Sequence, residues 1–234
     1  MKLISILMLA GSLIGISAQE RESAVVSFLV GKVNIKSTAD NKWKPLKKED
    51  AVNSGDSIMT GNGSVATITY KGSEFKISAN STIVVNSLYS KDKDGSVEVK
   101  NGGAWFNIKD LGPKKFTAST PTSTAGVRGT AFGALYDDKT KVAMHCVCEG
   151  KVEVASNEAG AKPKMVEKGN GSSFKAGSAD IEMSIYKNLI VKKEAMPDFE
   201  SKVKDAPMLK NCLSCHTPKG WTAPGIIKDE KYGK

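Results

Sequence analysis

The chain has 234 residues, of which 40% are apolar, 25% charged and only 6% aromatic, and its formal charge is +9. That balance excludes a disordered polyelectrolyte and a collagen-like fibre. The length suits one globular domain that buries its own core, with room for an appendage.

Residues 1–18 read as a secretory signal peptide. Lys2 supplies the positive start, Leu3 to Ile16 form an apolar stretch, and Ser17-Ala18 lead into the polar run Gln19-Glu20-Arg21-Glu22. Cleavage is expected after Ala18. An uncleaved N-terminal anchor is the alternative, although the stretch is short for a span of about 20 residues. No Cys follows the apolar run, and no later segment is apolar enough to span a bilayer. The mature chain is therefore expected in a periplasm or outside the cell, with at most peripheral membrane association.

Cleavage removes one cation, Lys2, so the mature chain carries +8, and its only arginines are Arg21 and Arg128. A lysine-rich surface suits point-charge attraction better than bidentate reading of bases. Nucleic acid is not an expected partner. An envelope protein or an anionic surface polymer is, with plain solubility as the competing reason for the charge.

From Val25 to about Ser184 the pattern is short β runs divided by Gly, Asn, Asp and Ser. Val25–Val30, Val65–Tyr70, Val97–Lys100, Lys141–Met144 and Lys151–Val154 alternate apolar and polar residues, as strands with one buried face do. Asn62-Gly63, Lys71-Gly72, Asp94-Gly95 and Glu149-Gly150 punctuate them. A Gly followed by an alternating run recurs at Gly31, Gly63, Gly72, Gly95 and Gly150 with irregular spacing. The expected fold is mainly β: a β-solenoid or β-roll of stacked short strands, or a sandwich. Gly102-Gly103 reads as a turn into the strand that carries Trp105 and Phe106.

Four blocks in order carry a family resemblance. Asn53-Ser54-Gly55-Asp56 through Gly61, with Gly63-Ser64-Val65-Ala66, resembles the opening block of the FecR domain. Lys71-Gly72-Ser73 with Asn80-Ser81-Thr82-Ile83 resembles its second. Phe116–Pro121 leading to Val127-Arg128-Gly129-Thr130-Ala131-Phe132 looks like its most distinctive block, and Glu149–Val154 like its closing one. The blocks cover roughly residues 25–180. The resemblance implies a β-rich, solenoid-like periplasmic domain. In the family's best-known members it follows a sigma-factor-binding segment and a transmembrane helix and relays signals from an outer-membrane receptor. This sequence shows neither of those elements, so an envelope interaction or scaffolding module is what the resemblance leaves.

Within the distinctive block, Thr120-Pro121 sets an extended entry, and Gly126 and Gly129 flank Arg128. Arg128 is read as a buried or half-buried fork bonded to loop carbonyls or to a carboxylate such as Asp56. An anion or ligand contact is the functional alternative, and Gly129 and Thr130 complete the motif.

The sharpest chemical signal is Cys212-Leu213-Ser214-Cys215-His216, a C-x-x-C-H run. Two thiols at that spacing reach the two vinyl groups of one porphyrin while the adjacent imidazole meets the iron. Haem c is thus a candidate cofactor, with His216 as metal ligand and Met208 or His145 as distal candidates. Met183 and Met196 are further candidates. A disulfide framework is the alternative: Cys212 with Cys215, or the pair Cys146 and Cys148 cross-linked to the tail. A zinc site built from the same residues is the third option.

The expected organisation is a signal peptide (1–18), a FecR-like β domain (24–184) and a small, partly helical appendage (185–234), with a short helix near 198–205. No Ser-His-Asp arrangement is visible. The expected function is that of an exported, non-enzymatic binding, scaffolding or signalling module; a periplasmic c-type haem protein for electron transfer or redox sensing is the alternative.

Overall fold

The computed structural model describes residues 23–109 and 111–178, together with the backbone of 182–183. The expected signal peptide, the helix near 198–205 and the Cys212–His216 run lie outside the described residues.

Among the described residues there are 17 strands and no helix. The N-terminal half contains β1 (Ala24–Val30), β2 (Val33–Lys36), β3 (Trp43–Pro45), β4 (Ala51–Val52), β5 (Ser57–Thr60), β6 (Val65–Tyr70), β7 (Ser73–Ile77) and β8 (Thr82–Ser87). The 13-residue β9 (Gly95–Asn107) follows. The C-terminal half contains β10 (Phe116–Ser119), β11 (Ser123–Val127), β12 (Ala131–Asp137), β13 (Val142–Glu149), β14 (Lys151–Ser156), β15 (Lys164–Glu167), β16 (Gly171–Lys175) and β17 (Glu182–Met183). The alternation read from the sequence is the reason these segments extend. In β6, Ala66, Ile68 and Tyr70 are buried and the residues between them are not.

Pairing divides the strands into two layers. One runs β4-β1-β6-β7-β9-β12-β13-β16-β17 and is antiparallel throughout. The other runs β3-β2-β5-β8-β9-β10-β11-β14-β15 and is antiparallel except where β10 lies parallel to β9. Strand β9 is the middle strand of both. Its first half pairs with β8 and β10, and its second half with β7 and β12.

The layers meet through their apolar faces. Phe75 and Phe106 from the first layer contact Phe116 from the second, with ring centroids 5.4 and 5.5 Å apart, and Phe132 extends the row 5.3 Å from Phe106. All four rings are at most 1% exposed. Ile58, Ile83, Val97, Val99, Val152 and Val154 close the second layer over them.

The mainly β fold is as expected, but the solenoid alternative is corrected. The recurring Gly positions do not return the chain into register with itself, coil upon coil. Lys71 and Gly72, with φ of 46° and 77°, close a two-residue hairpin between Tyr70 and Ser73. Hairpins of this kind pair their strands antiparallel and are laid alternately on the two layers, which gives a sandwich.

Gly102-Gly103 is likewise no turn. Asn101 pairs with Thr82 in one layer, whereas Gly102 and Gly103 pair with Tyr136 and Leu135 in the other. Gly102 adopts φ +74°, and a Cβ there would stand 2.7 Å from the Asn80 carbonyl oxygen. Ser81 holds the bend: its Oγ accepts the Gly103 N–H at 2.9 Å and donates to the Gly103 carbonyl at 3.1 Å.

The opening block forms a second fastening. The Asn53 N–H donates to Asp56 Oδ2 at 2.8 Å, the Gly55 N–H to the Val85 carbonyl at 2.6 Å, and the Leu88 N–H to Ser54 Oγ at 2.9 Å. The block's polar residues therefore tie the loop before β5 to β8 and its exit.

Gly102→Ala is expected to cost at least about 2 kcal/mol, from left-handed backbone strain plus the collision with residues 80–81. Gly63→Ala, also at positive φ but with nothing within 4 Å of its Cβ position, should cost about half as much. Urea unfolding of the two variants checks the order.

Candidate functional site

Arg128 does not occupy the buried position expected of it. Val127, opposite Phe116 on β11, is the residue that points inward. Side-chain alternation then turns Arg128 outward, where it is exposed. Asp56 is 1% exposed, and its Oδ2 is taken by the Asn53 N–H. The Arg128 guanidinium forms no ion pair among the described residues. It lines a cleft of about 450 Å³ with Gly129, Thr130, Asn107, Ile108, Lys109 and Glu149.

Backbone bonds fix the cleft walls. The Ile108 N–H donates to the Thr130 carbonyl at 2.9 Å, and the Leu111 N–H to the Arg128 carbonyl at 3.0 Å. The Lys109 N–H donates to Ser73 Oγ at 3.0 Å. Thr130 is 6% exposed, and its Oγ1 is buried without a hydrogen-bond partner. The segment after β9 and the loop between β11 and β12 are thereby held side by side, which brings Lys109 and Arg128 to one concavity. Nothing local in the sequence pairs these two residues.

His145 lies at the opposite extreme of exposure. It is wholly buried on β13, with its ring edge-on to Phe174 at 5.6 Å. Its Nε2 is 2.9 Å from Ser123 Oγ, which is 2.8 Å from Thr120 Oγ1. Ser123 and His145 are 22 residues apart and meet only because their strands lie on facing layers. The pair does not form a hydrolytic centre. Nδ1 has no hydrogen-bond partner, so no carboxylate orients the ring, and no surface reaches Ser123, which is 0% exposed. Burial lowers the His145 pKa to about 4.

Cys146 and Cys148 are buried on β13, 4% and 1% exposed. Cys146 lies across from Gly133, and a Cβ on that glycine would be 3.0 Å from Sγ. Cys148 is the extra residue where the register between β12 and β13 shifts, and it packs with Ala131 and Trp105. Cys212, Cys215, His216 and Met208 lie outside the described residues. The haem c reading accordingly stands on the motif spacing, with His145 already engaged by Ser123. No group of three or more His, Cys, Asp or Glu side chains suited to a metal ion occurs among the described residues.

The outer face of the first layer carries an apolar row. Val25, Phe28 and Val30 on β1 are 42%, 51% and 49% exposed, and Val65, paired with Val30, is 38% exposed. A register shift between Val26 and Phe28 places Phe28 on this face. Further along, Lys76 Nζ lies 4.6 Å from the centre of the Trp105 ring.

This is a β sandwich with a fastened loop block and a cationic cleft built on its Val127–Phe132 motif. The family described as FecR protein matches residues 56–153, from within the first of the four blocks to within the last. No curated protein matches the chain. Two crystal structures of a "putative anti-sigma factor" from Parabacteroides distasonis ATCC 8503 are similar in fold. The one at 2.50 Å resolution is 18% identical with a TM-score of 0.51, over 64% of this chain and 71% of that one. The one at 1.65 Å is 19% identical with a TM-score of 0.49, over 60% of this chain. The chain spans 65% of the length of that structure.

Between the unfolded imidazole pKa of about 6.5 and the folded value of about 4, the unfolded chain binds the extra proton. Stability should therefore be full above pH 6.5, fall as pH drops through this window and level off below it, by about 3 kcal/mol in all. His145→Gln should lack this component. Chemical denaturation of both proteins between pH 4.5 and 7 reads the difference in slope.

Proposed function

We propose that the protein is an exported, non-enzymatic module of the cell envelope that recognises a protein partner with the outer face of its first β layer. Residues 1–18 support export, since their charge, apolar run and small-residue exit are those of a secretory signal. The FecR match and the fold shared with a protein described as an anti-sigma factor support a regulatory role in the envelope.

The observation that carries this reading is the row Val25, Phe28, Val30 and Val65. Large apolar side chains set side by side on a sheet face, with one ring 51% exposed, are costly to leave in water. On a stable module they mark a surface that meets another molecule. The Thr67 and Thr69 positions beside them are half-buried, and threonine suits a polar rim.

A photo-crosslinking residue in place of Phe28, in the chain expressed in its own envelope, should give one discrete protein adduct. The same residue in place of Lys162, exposed beyond β14, should give none. Absence of a discrete adduct at position 28, or the same adduct from both positions, would overturn the assignment of this face.

A further inference from the structure

The Arg128 cleft is not isolated. A second hollow of about 410 Å³ adjoins it, and Lys109 lines both. Lys71, Lys91 and Lys114 complete the cationic side of the second hollow, with Leu111 and Pro113 as an apolar wall. The two hollows together bring five cations to one end of the sandwich. Glu149 is the one carboxylate among the described lining residues.

This groove is a built feature rather than a spread of solvated lysines. The Lys109 and Arg128 backbones are fixed by the bonds to Ser73, Thr130 and Leu111 described above. The floor of the second hollow is equally fixed. Tyr89 OH donates to the Tyr70 carbonyl at 2.9 Å and Tyr70 OH to the Tyr89 carbonyl at 2.8 Å, with the rings edge-on at 4.9 Å. Lys71 Nζ sits 5.3 Å from the Tyr70 ring centre. Lys44 and Lys151, on other parts of the surface, are paired with Asp40 and Glu167. Lys91, Lys109, Lys114 and Arg128 form no ion pair among the described residues. Like charges gathered around a hollow repel one another, and a multivalent anion relieves that repulsion.

We propose that this groove binds a phosphate-bearing ligand. A phosphate monoester brings up to two negative charges on one compact group, which matches several ammonium groups around one hollow better than single carboxylates do. Leu111 and Pro113 offer a surface for the carbon skeleton that carries the phosphate. The same chemistry is present on a soluble phosphate polymer and on a lipid headgroup, and both reach an exported protein. The site is separate from the apolar face of the first layer, so it does not depend on that face having a protein partner.

The test uses the full exported chain and two probes at about 0.15 M ionic strength, where the Debye length is only about 8 Å. One probe is inorganic polyphosphate, titrated by calorimetry; the other is vesicles of phosphatidylglycerol mixed into phosphatidylcholine, assayed by co-sedimentation. Binding to polyphosphate alone assigns a soluble polymer, and binding to vesicles alone assigns a headgroup; either supports the proposal. The double variant Lys109→Gln, Arg128→Gln should bind about tenfold more weakly. The double variant Lys47→Gln, Lys162→Gln removes the same charge from exposed positions away from the groove and should change affinity less than about twofold. All four positions are exposed, so folding is not at stake. Equal losses in the two variants, no binding to either probe, or equally tight binding of poly-glutamate would overturn the proposal, the last by pointing to an acidic protein instead.

Discussion

Strand β9 is held on both edges twice over. Thirteen residues at about 3.3 Å each make a rod of about 43 Å, long enough to be the central strand of one layer and then of the other. The strands before it flank it as β8 and β7, and those after it as β10 and β12. Neither half of the chain can complete a layer without it. The Phe75–Phe106–Phe116–Phe132 row lies where the layers meet, and Phe106 comes from β9 itself. The bend at Gly102 makes this possible, because only a residue without a Cβ takes that backbone conformation so close to residues 80 and 81.

The location of the two proposed surfaces follows from the same strand. Where β9 ends at Asn107, the chain runs into Ile108 and Lys109, and the next strand of that layer, β12, begins just after Arg128–Thr130. The groove is thus built at the seam between the halves, and its backbone bonds join one half to the other. The apolar row lies on β1 and β6, to one side of the same layer.

The strands were largely legible in the sequence, since a half-buried strand must alternate. Val65–Tyr70 reads as β6 with the same ends. The layering was not legible. The recurring Gly positions mark where the chain turns, but whether a turn leads to a parallel coil or an antiparallel hairpin depends on backbone angles such as those of Lys71 and Gly72. Gly102-Gly103 looked like a turn because two adjacent glycines usually are one, whereas here they let a strand change layers. Arg128 looked buried because apolar residues surround it in sequence; its direction is set by Val127, which takes the inward place. The contact of His145 with Ser123 had no local signal at all, for it joins strands from two layers across 22 residues. The FecR blocks were legible as a family pattern, and the structure gives the first its physical content as the fastening of Asn53–Asp56 to β8.

Native-state hydrogen exchange along β9 is the most direct measure of whether this one strand unites the fold. The amides of Val97 and Val99 in one layer and of Ala104 and Phe106 in the other should open only with global unfolding, at one common free energy that equals the value from denaturant. Two distinct opening energies, with the Val97–Val99 half exchanging while the Ala104–Phe106 half stays protected, would show that the layers are stable separately and that β9 does not bind them into one unit.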